Sequence, residues 1–200
     1  MSVRILTFVL AALVSGTSTA QTPAKPAPAK PAVAPAVGPA KTSPGAGPVV
    51  VVETEKGIFE FETYPNEAPK TVAHIIGLVN KRFYNGQRVH RVVPGFVIQM
   101  GDPATRDMTK QAEWGSGGSG TVIGAAEMSK TRTHATKGMV AMAHAGDPAK
   151  ADSQFYVTLA PQPRLDADYT VFGKVISGMD VVEKIAVPDR IIRVTVREAK

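Results

Sequence analysis

The sequence predicts a mainly β fold: a closed barrel of about eight short strands with two helices covering its ends. Three observations predict it. Short runs rich in Val, Ile, Phe and Tyr recur between turn signals from Val49 onward. Only two stretches carry helical spacing. Nowhere do strands and helices alternate in the rhythm of a parallel sheet.

The first 48 of the 200 residues stand apart from this pattern. Arg4, the mainly apolar run Ile5–Val14 and the small residues ending in Ser18-Thr19-Ala20 read as a secretory signal over 1–20. The apolar run is too short to span a bilayer, which needs about 20 residues. The alternative to cleavage is an N-terminal anchor. Residues 21–48 hold eight of the sixteen prolines, with Ala and Lys and no aromatic residue, Leu or Ile, too little to form a core. A disordered, partly polyproline-II spacer is expected, reaching ~90 Å at roughly 3.1 Å per residue. These features imply a periplasmic or secreted protein without stable membrane insertion after signal cleavage.

Residues 49–200 are then one domain of ordinary size. The formal charge of +6 misleads, because Arg4, Lys25, Lys30 and Lys41 precede the domain and leave 19 basic residues against 17 acidic ones. A nucleic-acid partner, which needs a clustered basic face, is not expected. The chain has no Cys, which excludes disulfides, thiol catalysis and thiolate metal sites.

In chain order, Val49–Glu53 and Ile58–Thr63 are strands joined by the turn Thr54-Glu55-Lys56-Gly57. Pro69 suits the first turn of a helix, and Val72, Ile75, Ile76 and Val79 give it one apolar stripe, with His74 off the stripe and solvated. Phe83–Gly86 is a turn. Val89–Asp102 reads as strand, Pro94-Gly95 turn, strand, with the polar Arg91 and Gln99 set among residues that favour burial. Residues 103–121 lose all period. Strands return at Gly138–Ala143, Ser153–Leu159 and Tyr169–Val175, a short helix at Met179–Ile185, and a last strand at Ile191–Val196. Strand alternation sends Phe155 to the core and Tyr156 to the opposite face.

Most familiar chemistries find no support. Gly115–Gly120 fits G-x-G-x-x-G, but no strand precedes it and no helix opens from it. Serines 116, 119 and 153 lack a nucleophile-elbow setting. His74, His90, His134 and His144 lack metal-ligand spacing, so no metal or cofactor is expected. His90 reads as structural, and His134 and Trp114 carry no assignable role. What remains is one arginine, glutamines and apolar or aromatic groups on strands. That inventory suits a reaction in which no covalent bond is made or broken.

Five separated motifs carry a resemblance: Phe83-Tyr84-Asn85-Gly86, His90 to Asp102, Met142 to Gly146, Ser153-Gln154-Phe155-Tyr156, and Tyr169 to Val175. In that order they resemble the cyclophilin family of peptidyl-prolyl cis-trans isomerases, over nearly all of 49–200. The resemblance implies an eight-stranded antiparallel β-barrel capped by two α-helices, with a groove on its outer face. It implies action on proline-containing polypeptides, here exported or partly folded ones, and a monomer is expected.

By the same resemblance Arg91 is the catalytic arginine and Gln99 the glutamine that orients it. Phe96, Tyr156 and Leu165 match the walls of the proline pocket, with Val97 where Met is common. Ala143, His144 and Ala145 match the strand edge that pairs with substrate backbone. Gln154 matches a second groove glutamine, and Gly115 the loop glycine flanking the groove. Tyr169 stands where many members carry His, and Arg164 where many carry the Trp associated with cyclosporin binding, which implies weak cyclosporin sensitivity. Two other readings remain at this point: a module that binds proline segments without turnover, and a spacer-tethered structural protein of the envelope.

Overall fold

The computed structural model describes residues 47–197. The expected signal, and the expected spacer except Gly47 and Pro48, lie outside the described residues. In chain order the elements are β1 (Val49–Thr54), β2 (Gly57–Thr63), α1 (Pro69–Asn80), β3 (Arg91–Val93), β4 (Val97–Met100), β5 (Met139–Met142), β6 (Phe155–Thr158), β7 (Val171–Ser177), α2 (Met179–Val182) and β8 (Ile191–Arg197). The eight strands form one antiparallel sheet in the order β3-β4-β6-β5-β7-β2-β1-β8. No described helix is long and apolar enough to cross a membrane.

Alternation along the strands separates two apolar clusters. Val50, Val52, Phe59, Phe61, Ile98, Met100, Phe155 and Phe172 point inward and form the main core. There Phe155 meets Phe61, Phe172 and Tyr84 at centroid separations of 5.9, 6.1 and 5.6 Å. Val97, Met139, Ala141, Tyr156 and Val171 form a second cluster on the outer face. Neighbouring residues in one strand therefore serve opposite faces, as Phe155 and Tyr156 do.

Helix α1 closes one side of the core through Val72, Ile75, Leu78 and Val79, with Ile76 only partly buried. Ala68 at its start offers no side-chain cap. Instead the Glu127 carboxylate reaches across from a loop and accepts from the Lys70 and Thr71 N–H groups at 3.0 and 2.9 Å. It satisfies two of the orphan donors at the positive end of the helix. His74 is largely buried rather than solvated, with Nε2 3.8 Å from Asp152 Oδ1.

Two expectations need correction. The barrel is open, not closed. β3 and β8 are the sheet's edges, and the seam between them carries one isolated bridge, Arg88 to Arg190, with hydrogen bonds from Val89 N to Asp189 O and from Ile191 N to Gln87 O. A ladder cannot extend there because β3 is three residues long and the chain before it is a turn. Gly86 has φ +77°, and the Gln87 side chain folds back to donate to Phe83 O at 2.8 Å. The second helix is a single turn ending at Val182 rather than Ile185. The chain beyond it turns at Ala186–Asp189, where the Asp189 carboxylate accepts from Ala186 N at 2.7 Å.

Residues 103–121 are more ordered than their lack of period implied. Two 3₁₀ segments, Pro103–Arg106 and Met108–Glu113, are capped by the carboxylates of Asp102 and Asp107. Trp114 Nε1 donates to Asp107 O at 3.2 Å and ties off the second.

Candidate functional site

Strand register builds the site. β3 against β4 sets Arg91 opposite Gln99, β4 against β6 sets Gln99 opposite Tyr156, and β6 against β5 sets Tyr156 opposite Ala141. Residues opposite one another share a face, so this row crosses four strands on the outer side of the barrel.

A cavity of about 200 Å³ opens at that row. Val97 and Tyr156 are its buried floor, at 1% and 4% exposure. Phe96, Leu165 and Tyr169 stand around them, and Arg91 and Gln99 lie along one side with Ala143 and His144. Phe96 comes from the turn between β3 and β4 rather than from a strand. Nine of the twelve residues named from the sequence thus converge on one cavity. The other three, Gly115, Ala145 and Gln154, line an adjoining hollow of about 470 Å³ that shares Gln99, Ala143 and His144. Through these shared residues the two hollows form one continuous groove.

Arg91 is exposed, but its guanidinium is held. Nη1 donates to Gln99 Oε1 at 3.2 Å, and the group lies 5.6 Å from the Phe96 ring centroid. Gln99 Nε2 donates to Gln154 Oε1 at 2.9 Å, and Gln154 Nε2 donates to the carbonyls of Gly115 and Gly117 at 2.9 and 2.7 Å. The Gly115 and Gly117 N–H groups donate in turn to Asp102 Oδ2, at 2.6 and 3.1 Å. Asp102 is fully buried and also accepts from Ala104 N at 2.8 Å. A continuous relay therefore runs from a buried carboxylate, through the glycine loop, to the guanidinium. It requires glycine at 117, where a Cβ would collide with Asp102 Oδ1. Gly115 adopts φ +93°, which disfavours any side chain.

The opposite rim carries the departures. Arg164 also lies over the Phe96 ring, 4.7 Å from its centroid. His144 stacks on Tyr169 at 4.5 Å and donates from Nε2 to Asp168 O at 2.8 Å. Ala143, expected at a pairing edge, already donates its N–H to Gln154 O at 2.9 Å.

Sequence reasoning assigned nothing to His134, yet it lies directly behind the cavity. It is fully buried, with Nδ1 2.7 Å from Asp166 Oδ1 and Nε2 2.9 Å from the Tyr156 hydroxyl. These partners lie 32 and 22 residues away, so no local motif marks them.

Burial holds the imidazoles of His90 and His134 below their ordinary value of about 6.5, outweighing the opposing pull of Asp102 on the first and Asp166 on the second. In the window just below 6.5 the unfolded chain binds more protons than the native one, so stability rises with pH there and falls as pH drops. The urea midpoint is expected to decrease from pH 7.5 to pH 5.5. A flat or rising midpoint over that window would contradict it.

Comparison with known proteins gives the site its setting. Residues 49–198 match the family model described as cyclophilin type peptidyl-prolyl cis-trans isomerase/CLD. A probable peptidyl-prolyl cis-trans isomerase of Brucella abortus is 40% identical over 180 residues, covering 82% of this chain and 91% of the relative. Peptidyl-prolyl cis-trans isomerase B of Bacillus subtilis is 42% identical over 127 residues, covering 64% and 82%. Crystal structures of a Cryptosporidium parvum cyclophilin type peptidyl-prolyl cis-trans isomerase, one in the presence of dipeptide ala-pro, align with a TM-score of 0.66 and 25% identity, covering 76% of this chain and 99% of that one. Fold, motif order and matched length agree: the chain belongs to the cyclophilin-type peptidyl-prolyl cis-trans isomerases, enzymes acting on proline-containing peptides.

Proposed function

We propose that Arg91 accelerates rotation about X–Pro bonds in exported or partly folded proteins by stabilising the twisted amide. The observation that carries this reading is a guanidinium oriented by Gln99 beside an apolar cavity of about 200 Å³. The barrier to rotation, about 18–20 kcal/mol, comes from C–N resonance. Twisting the bond pyramidalises the proline nitrogen and localises a lone pair on it. A donor aimed at that lone pair acts only on the twisted form, which is the condition for raising the rate. Arg meets it without changing protonation state. Phe96, Val97, Tyr156 and Leu165 hold the pyrrolidine ring while the preceding carbonyl turns. No proton moves and no covalent bond forms.

The expected signal over 1–20 and spacer over 21–48 support action on proteins outside the cytoplasm, by a monomer whose domain follows a long spacer. Proline-limited refolding of a client protein, followed by fluorescence with the whole chain or its Arg91 variants added, tests the activity and its source. Equal acceleration by both would sink the mechanism. Fractionation of cells expressing the first 48 residues fused to a reporter tests the destination, and a wholly cytoplasmic reporter would remove the exported clients. Arg164 supports weak cyclosporin sensitivity. Micromolar or weaker inhibition is expected in the same assay, with Arg164→Trp tightening it, and nanomolar inhibition of the unaltered protein would refute this.

A further inference from the structure

We propose that His134, oriented by Asp166, is a positioning residue that sets the Tyr156 wall of the proline pocket, an inference that rests on reading the smaller cavity as that pocket. Asp166 Oδ1 accepts twice from His134, from its backbone N–H at 2.6 Å and from Nδ1 at 2.7 Å. A carboxylate only accepts, so the proton of the neutral ring sits on Nδ1. Nε2 is left with a lone pair, and the Tyr156 hydroxyl donates to it at 2.9 Å. The two rings lie 17° from parallel with centroids 5.9 Å apart. Each ring nitrogen of the buried His134 thus has one partner, and each partner admits one direction of donation.

The row has a consequence for the pocket. Tyr156 sits on β6 with its ring packed at 4% exposure, and what packing leaves to be fixed is its far end, the hydroxyl. Tyr169, which itself lines the cavity, crosses it edge-on at 5.8 Å. His134 fixes the hydroxyl. His134 is itself held by the turn that carries Leu165, through Asp166. One bond row therefore couples two walls of the pocket, Tyr156 and Leu165, and sets the spacing between them. A wall that touches the proline ring equally in planar and twisted amides contributes to binding and not to the chemical step, so its loss raises KM and spares kcat.

The test is a double-mutant cycle on peptide isomerisation by the full chain. His134→Leu and Tyr156→Phe are each expected to raise KM about five-fold, the usual effect of one lost hydrogen bond, with kcat within about two-fold. Together they are expected to cost no more than either alone, because both remove the same bond. His134→Gln, which keeps an acceptor, is expected to recover part of the loss. Nitrogen-15 NMR of the unaltered protein's imidazoles reads the tautomer without any variant, and the Nδ1–H form of His134 is expected. An Nε2–H tautomer, an unchanged KM in His134→Leu, or additive effects would overturn the proposal while leaving Arg91 in its role. Full activity in Arg91→Ala would instead overturn the reading of the pocket itself, and this inference with it.

Discussion

Arg91→Ala is expected to lower kcat/KM for a proline peptide by about 10²–10³-fold, the usual effect of removing one preorganised donor from a developing charge. Stability should barely change. Arg91 is exposed on the edge strand β3, and its one hydrogen bond is to a glutamine that keeps a second partner in Gln154. Losing it strands no buried charge, so the urea midpoint should shift by less than about 0.5 kcal/mol equivalent. Arg91→Lys keeps the charge but loses the planar fork, which bonds Gln99 and, in the proposed mechanism, donates to the proline nitrogen at the same time. If the proposed role holds, it should recover little of the activity. A protease-coupled peptide assay beside urea unfolding measures both halves of the prediction. A small drop in rate, or a drop tracking lost stability, would show that the guanidinium is not the source of the acceleration.

Asp102→Ala should have the largest effect on stability. The carboxylate is fully buried and accepts from the N–H groups of Ala104, Gly115 and Gly117. Alanine leaves these donors without their charged partner. Bonds to charged groups are each worth about 1.5–3 kcal/mol, partly regained as the loop relaxes toward water, so a net loss of about 3 kcal/mol is expected. Activity should fall too, because the glycine carbonyls that hold Gln154 belong to the same loop. Urea unfolding gives the first quantity and a protease-coupled peptide assay the second, while amide hydrogen exchange at Gly115 and Gly117 reports on the loop itself. Unchanged protection at those two amides would mean that Asp102 does not anchor the loop.

Much of this molecule was legible in its sequence because its strands obey one rule of alternation. Phe155 and Tyr156 could be assigned to opposite faces before any coordinates, and so could Val97 and Ile98, since each pair differs only in which side of a pleat it occupies. The row of Arg91, Gln99 and Tyr156 needed register as well, and the resemblance to a family supplied it. Contacts between residues far apart in the chain and unrelated by any period stayed hidden. Nothing in residues 115–117 announces that Asp102 folds beneath them. Glu127 caps α1 from 57 residues away. His134 finds both partners only once β6 and the turn after Pro163 are in place. The open seam was missed for a different reason: Val89 has strand propensity, but Gly86 and the inward fold of Gln87 break the extended backbone just before it.

The placement of β1 between β2 and β8 also orders events in time. Its first neighbour is adjacent in sequence and can form a hairpin at once. Its second is the last strand of the eight, and Glu53 waits 140 residues for Arg193. Until β8 arrives, the Val49–Thr54 backbone presents one unsatisfied edge. Closing so long a loop is paid for in chain entropy before any contact rewards it. This topology predicts that the sheet completes late, when its first and last strands meet.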